Sequence, residues 1–351
     1  MDVRLSPEQV ALRDSAAQVA GRLGLHAVAD LDDTERAAKL DAAVTASGWR
    51  ELRAESDDGG PWASAVEVAV VAEELGRGLA DTAFFGPTLA ADLRRLAGLP
   101  PATAPETVLL TSGLGDIAEA VVGVVPADGV AVDARGAATA LILVNDTGRR
   151  RLGEVALGAD AAGVDLTRPA SQPGSVRTAT LFETGTPLDD EALTRWRSLG
   201  LAVACADLVG VMRGALNLAA DYARERKQYG VPIGSFQAVQ HLLADALVLM
   251  EGSRSIALHA AWAVDAVSSR EALAAAAAAK AYCARAARSV CETVIQVHGG
   301  IGNTWECLAH VFLRRALFST EVLGGIGDNL QRVLAARGVG GDSAGGERGL
   351  R

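Results

Sequence analysis

Apolar residues recur at helical spacing through the first hundred positions. Ser6-Pro7-Glu8 reads as a helix start, with Ser as cap, Pro in the first turn and an acid behind it, and the pattern runs to about Arg22. Residues 34–47 predict a second helix, ended by Gly48 ahead of Trp49. After the loop Asp57-Asp58-Gly59-Gly60-Pro61, Val66, Val70, Val71 and Leu75 share one side of a helix predicted over 62–76. A shorter helix follows over 89–96. From about Pro100 the spacing changes to short β-type runs at 107–111, 121–125, 129–132, 138–144 and 176–182. Gly, Asp and Pro punctuate them, as expected of an antiparallel β domain. Residues 166–169 read as a linking strand or loop, and Arg149-Arg150-Arg151 as a solvated hairpin tip.

From Asp189 the helical period returns. A helix of nearly forty residues over 190–226 stops before Gly230 and Pro232. Ser235 reads as the cap of a second, running to about Val267. Ser269 reads as the cap of a third, through the alanine run 272–279 to Val297, with Gly299-Gly300 as its stop. Residues 305–318 give a fourth, and a last helix reaches about Arg337. Long helices joined by short loops make an antiparallel bundle, and the alanine run marks close helix approach. The predicted fold is mainly α with a β domain: a helical domain over 1–100, a middle antiparallel β domain over 101–188, a helical bundle over 189–338 and a flexible tail over 339–351.

Composition narrows the function classes. The 351 residues are half hydrophobic but only 4% aromatic, with a net charge of −10. That is too apolar for disorder, and its Ala, Leu and Val suit close-packed helices. The acidic balance argues against nucleic acid or an anionic membrane as a partner. Cys205, Cys283, Cys291 and Cys307 form no CxxC pair and read as reduced, buried residues. No basic segment followed by an apolar run opens the sequence, so a cytoplasmic protein is expected. Residues 199–220 are long enough to cross a bilayer but carry Asp207, Arg213 and Asn217, which favours a buried helix.

Three features carry candidate chemistry. Arg224-Glu225-Arg226-Lys227-Gln228-Tyr229-Gly230-Val231-Pro232-Ile233 lies at a helix C-terminus. A basic cluster there complements the helix dipole, or clamps a phosphate through one arginine. Phe236-Gln237-Ala238-Val239-Gln240-His241 opens the next helix, whose free N–H groups favour an anion. Gln296-Val297-His298-Gly299-Gly300-Ile301-Gly302 pairs glycines, which end a helix or let backbone approach a ligand. Glu306 and His310 are spaced i, i+4 with no second such pair, which argues against a di-metal carboxylate bundle. His26, His241, His259 and His310 sit singly in helical patterns and read as ordinary surface or core residues.

In order and spacing these features resemble the acyl-CoA dehydrogenase family. RERKQYGVPIGSFQAVQH and IQVHGGIGNTWE carry the likeness, with support from LSPEQVALRDSAAQVA and VAEELGRGLA. The resemblance implies FAD as cofactor and α,β-desaturation of an acyl-CoA thioester. It implies that Arg226 pairs with the pyrophosphate, and that Gln228, Tyr229, Ile233, Phe236, Gln237 and Val239 line the dinucleotide. Gln296, Val297, His298, Gly299 and Gly300 would approach the adenine side of an FAD held by a neighbouring subunit.

Departures from the family pattern matter as much. That chemistry needs a carboxylate base within reach of the α-proton. Of the two family positions for it, one falls on Leu323 and the other on Gly200. Glu306 and Glu321 lie near them in sequence and read as structural, Glu321 as a cap of the last helix. The family's flavin-wrapping loop corresponds to residues 110–116, no tryptophan lies between Trp62 and Trp196, and the β domain reads as shortened. The whole is similar to the degenerate subunit of actinobacterial α2β2 acyl-CoA dehydrogenases of steroid side-chain degradation. It implies no catalytic residue of its own, a homologous catalytic subunit as partner, and an electron-transfer flavoprotein as acceptor. A self-sufficient homomeric enzyme with a displaced base, or a non-enzymatic scaffold, are the alternative readings.

Overall fold

The computed structural model describes residues 4–120, 123–161 and 163–339. The tail predicted over 339–351 therefore lies, beyond Val339, outside the described residues, as do Val121 and Val122 of one predicted strand.

Four helices come first. In α1 (Pro7–Leu23), Ser6 and Gln9 form a reciprocal capping box. Asp33 caps α2 (Thr34–Ala46). Helix α3 (Ala65–Arg77) starts three residues later than its apolar pattern, because the Ser64 hydroxyl accepts from Val66 N and sets the boundary. Helix α4 (Phe85–Leu96) starts four residues earlier than predicted. Its cap comes from far along the chain: the Asp133 carboxylate accepts from Phe84 N (3.2 Å) and Phe85 N (2.8 Å). Pro87 then falls in the first turn, where its missing N–H costs nothing.

Among the described residues seven strands follow: β1 (Glu106–Leu110), β2 (Glu119–Ala120), β3 (Val130–Ala131), β4 (Thr139–Asp146), β5 (Arg149–Ala161), β6 (Ala170–Pro173) and β7 (Thr180–Leu181). Their order is β2-β4-β1-β3-β6-β5-β7, and β4 also pairs β5, so the sheet closes into a small barrel. The expectation of a purely antiparallel domain is corrected: β4 runs parallel to both β1 and β2. The reason is topological. Strand β3 pairs antiparallel on one edge of β1, and the chain reverses again before β4 takes the other edge. Strands β5 and β6 lie outside the predicted runs. Arg149-Arg150-Arg151 belongs to β5, and the hairpin tip is Thr147-Gly148, both with positive φ. Arg150 pairs with Asp190, and Arg151 donates to Phe182 O (3.0 Å). Alternation divides the strands: Leu109, Ala140, Ile142 and Val155 fill the barrel, while Val108, Leu110, Leu141, Leu143 and Leu152 join the core shared with the helices.

The remaining chain is α5 (Asp190–Glu225), α6 (Gln237–Ala266), α7 (Ser269–His298), α8 (Ala309–Glu321) and α9 (Ile326–Ala336). Three boundaries are corrected. Helix α6 begins after Phe236 with no side-chain cap, because the Ser235 hydroxyl donates to Pro232 O instead. The cap of α7 is Ser268, not Ser269, and Glu271 answers it in a capping box. Helix α8 starts at Ala309, not Trp305, since residues 304–308 form a turn. Helix α5 lies at the centre, against α3, α6, α7 and α8. It is apolar enough to cross a membrane by composition, but 94% of its most apolar window is buried within the fold. Helix α3 meets it at near-backbone contact: a Cβ on Gly76 would lie 2.6 Å from Asp207 O, and one on Gly210 would overlap Glu73 O. All four cysteines are buried and unbridged.

One buried charge was not legible in the alanine run. Lys280 is fully buried, and its Nζ donates to Thr320 O (2.9 Å), Val322 O (2.6 Å) and Gly324 O (3.2 Å), closing the end of α8. Burial pushes its pKa down from the usual lysine value to about 8. Between pH 8 and the unfolded lysine value near 10.4 the unfolded chain binds more protons, so stability rises with pH there. Lys280→Met should remove that rise and, by orphaning three carbonyls, cost about 2 kcal/mol or more at pH 7. Urea unfolding midpoints from pH 7 to 9.5 check both; equal slopes in the two proteins would contradict the assignment.

Candidate functional site

All three sequence features gather at one end of the bundle. Helices α5 and α7 end there and α6 begins there. Arg226 is the C-cap of α5, and its carbonyl accepts from Ile233 N (2.8 Å). That bond closes a short hairpin, β8 (Lys227–Gln228) against β9 (Val231–Pro232), with Tyr229 and Gly230 at its tip in positive φ. Tyr229 is 94% exposed, and its ring meets Phe236 edge-on at 6.3 Å. The Arg226 side chain is exposed and, among the described residues, enters no ion pair, whereas Arg224 pairs with Asp221 (2.6 Å). Gln228 and Gln237 are exposed, and Ile233 and Val239 are half-buried against the core. With no side-chain cap, the opening N–H groups of α6 are on offer to an anion.

The third feature joins the others through a residue the sequence reading missed. Tyr222 of α5 stacks on His298 of α7, with ring centroids 4.5 Å apart, and His298 Nδ1 bonds Val294 O (2.8 Å). Val297 and His298 are buried, so their side chains serve the core and the Tyr222 stack. Gln296, Gly299 and Gly300 are exposed, and a Cβ on either glycine would meet nothing within 4 Å. The backbone of that turn is open to close approach. A tyrosine one turn before the α5 cap, set opposite a histidine in a helix-ending motif, was the only available signal.

The two base positions also meet. Leu323 is 0% exposed, in positive φ, and packs over Gly200: a Cβ on Gly200 would overlap Leu323 Cδ1 and lie 3.3 Å from Leu89 Cδ1. The loop 110–116 is pinned across this plug. Leu323 N donates to Leu114 O (2.7 Å), Arg332 donates to Leu323 O and to Gly115 O (3.1 Å), and Arg197 pairs with Asp116. The slot is therefore a sealed apolar contact with no carboxylate. Glu306 and Glu321 are both exposed. The expectation that Glu321 caps the last helix is corrected: Asp328 accepts from Gly325 N (3.0 Å) in that role.

Beside the slot lies a buried ionic network that sequence reasoning did not assemble. Asp207 on α5 accepts from Arg315 Nε (3.0 Å) and Nη2 (2.6 Å) and from Ser319 Oγ (2.7 Å), and lies 3.4 Å from Arg168 Nη1. Arg168 Nε donates to Asp165 (2.8 Å), and Arg315 Nη1 to Ala80 O (2.8 Å). Burial works to raise the Asp207 pKa, but Arg168 and Arg315 outweigh it and hold the carboxyl below its usual value. The signal was the pair of charges set inside apolar helical stretches, which only mutual pairing allows.

A helical cap, a small β barrel and an antiparallel bundle around one central helix are the layout of an acyl-CoA dehydrogenase. Residues 194–339 match the family model of the acyl-CoA dehydrogenase C-terminal domain. Over that stretch the chain is similar to the acyl-CoA dehydrogenases. Over 282 residues it is 29% identical to the acyl-CoA dehydrogenase IpdE2 of Mycolicibacterium smegmatis, covering 79% of this chain and 80% of that protein. Over 141 residues it is 43% identical to the acyl-CoA dehydrogenase FadE34 of Mycobacterium tuberculosis, a match covering 40% of this chain but only 20% of FadE34. The fold overlays a chain of the ChsE4-ChsE5 complex from Mycobacterium tuberculosis with TM-score 0.79 at 22% identity, covering 96% of this chain and 99% of that one.

Proposed function

We propose that this chain is the non-catalytic subunit of a heteromeric, FAD-dependent acyl-CoA dehydrogenase, supplying the ADP-side contacts while a homologous partner supplies the flavin pocket and the base. The observation that carries this reading is the Leu323 plug on Gly200, where both family base positions hold apolar groups and exclude water. The exposed end of the bundle fits the other half of the cofactor. Arg226 offers the pyrophosphate a guanidinium that no acid among the described residues pairs, the start of α6 offers free N–H groups, and Gly299 and Gly300 offer open backbone. Tyr229, Phe236, Gln228 and Gln237 offer rings and amides around it, with Tyr222 holding His298 and so fixing the glycine turn. FAD supplies a flavin that accepts hydride from the acyl chain; in this reading that step takes place within the partner. The assembly is an α2β2 heterotetramer in the cytoplasm, with an electron-transfer flavoprotein as acceptor. A steroid side-chain CoA thioester suits it as substrate, in keeping with the likeness of fold to the Tcur3481-Tcur3483 steroid ACAD (TM-score 0.77 at 22% identity).

Purified alone, the chain should carry no flavin and show no acyl-CoA oxidation. Co-expressed with its catalytic partner it should yield about one FAD per heterodimer. Arg226→Ala should weaken flavin retention by roughly tenfold or more, the worth of a charge-assisted hydrogen bond. Flavin absorbance of the co-purified complex is the readout. Stoichiometric flavin and turnover in the lone chain would overturn the proposal, and unchanged flavin occupancy in the R226A complex would favour the scaffold reading.

A further inference from the structure

We propose that a cavity on the outer face of α4 binds an organic monocarboxylate with a medium-length apolar chain, and that Arg135 is its anion contact. The cavity encloses about 300 Å³ between α2, α4, the chain at 99–106 and the turn that carries Arg135. That volume is at the lower end for small-molecule sites. It is separate from the sealed slot. Leu89 of α4 packs toward Gly200, whereas Pro87, Ala91 and Arg94 of the same helix line the cavity. Ala54, Ala83 and Leu99 complete an apolar wall.

Three other arginines on the wall are already satisfied. Arg50 donates to Ala83 O, Thr45 Oγ1 and Thr82 Oγ1 and pairs with Asp41; Arg94 pairs with Glu106; Arg95 pairs with Asp92 (2.8 Å). Arg135 is different. Its Nε is shielded from solvent and has no hydrogen-bond partner, and among the described residues no carboxylate pairs with it. A guanidinium has donors only, and with Arg50, Arg94 and Arg95 already paired, Arg135 is the arginine of this wall whose charge is left for a ligand carboxylate to meet. The turn that presents it is rigid. Asp133, in positive φ, is tied to Phe84 N and Phe85 N, and Ala134 N donates to Pro169 O (2.9 Å). Little ordering remains to be done on binding. Glu51 and Glu55 at the rim add negative charge, which disfavours phosphates and selects a singly charged ligand.

The test is calorimetric titration of the full chain with sodium octanoate and, in parallel, with octan-1-ol. Octanoate should bind, octanol should bind at least about tenfold more weakly, and Arg135→Gln should weaken octanoate by about tenfold or more. Ala91→Phe fills the cavity and leaves Arg135 in place, and should abolish binding of both probes. Circular dichroism of each variant establishes that it is folded. Octanol binding as tightly as octanoate, octanoate affinity unchanged in R135Q, no octanoate binding at all, or unchanged binding in A91F would each overturn the assignment. None of these outcomes depends on flavin or on a partner subunit, so the subunit role stands or falls apart from them.

Discussion

Asp207→Ala should cost the chain about 3–5 kcal/mol, the usual price of breaking a buried ion pair from one side. Asp207 sits beneath Arg315 and Arg168, all three nearly excluded from solvent. Removing its carboxylate leaves two guanidinium groups in a low-dielectric interior with one fewer acid between them. Asp165 and the more distant Asp133 (3.8 Å) still face Arg168, but Arg315 keeps only neutral acceptors, Ala80 O and Thr167 Oγ1. Because these groups come from α5, α8, the loop before β6 and the link before α4, the loss should loosen the contact between bundle, barrel and cap together. Marginal stability makes such a deficit large against the whole. Asp207→Asn keeps the shape and one acceptor and should fall between the two. The pH dependence follows from the depressed carboxyl. Its stabilisation is present above the unfolded aspartate value near 3.9 and is lost as pH falls through the lower folded value, so the wild-type advantage over D207A should shrink in acid. Urea unfolding by circular dichroism at pH 7 and pH 3 reads both; a D207A midpoint equal to wild type at pH 7 would show that the network contributes nothing.

Much of the fold was legible in the sequence because long helices announce themselves through period and caps. Ser6-Pro7-Glu8, and the alanine run of α7, are local signals whose physics does not depend on the rest of the chain. What failed was non-local. The start of α4 is set by Asp133, a residue 48 positions away, and no window around Phe85 contains that information. The parallel pairing of β4 with β1 depends on which edge β3 occupies. Strand β5 hides its alternation behind three arginines, Gly153 and Gly158. The same division holds at the site. The family resemblance implied that Arg226, Phe236 and Gly299 serve one cofactor, but Tyr222, which ties α7 to α5 there, became visible only in three dimensions. The meeting of Gly200 with Leu323 likewise needed the bundle, although each had been singled out on its own.

Leu323→Glu is the sharpest test of whether the slot can be re-equipped with a base, and it should fail. The side chain would enter a fully buried site against Gly200 and Leu89, with the loop 110–116 bonded across it by Leu114 O and Arg332. A carboxylate there has no water, and Arg332 already spends donors on Leu323 O, Gly115 O and Asn329 Oδ1. The expected cost is about 4 kcal/mol or more at pH 8, in the range reserved for unpaired buried charge. The sign of its pH dependence is opposite to that of Asp207. Burial raises the folded pKa of the new glutamate above its unfolded value near 4.3, so the deficit should be smallest below that value and grow as pH rises through the folded one. Gly200→Glu should be worse still, because its Cβ alone overlaps Leu323. Unfolding midpoints at pH 5 and pH 8 give the stability. Flavin absorbance and acyl-CoA oxidation, assayed on the complex with the partner, show whether the partner's base alone sustains turnover. If L323E folded with a wild-type midpoint at pH 8, the slot would be open to water, and the plug that argues for a non-catalytic subunit would lose its force.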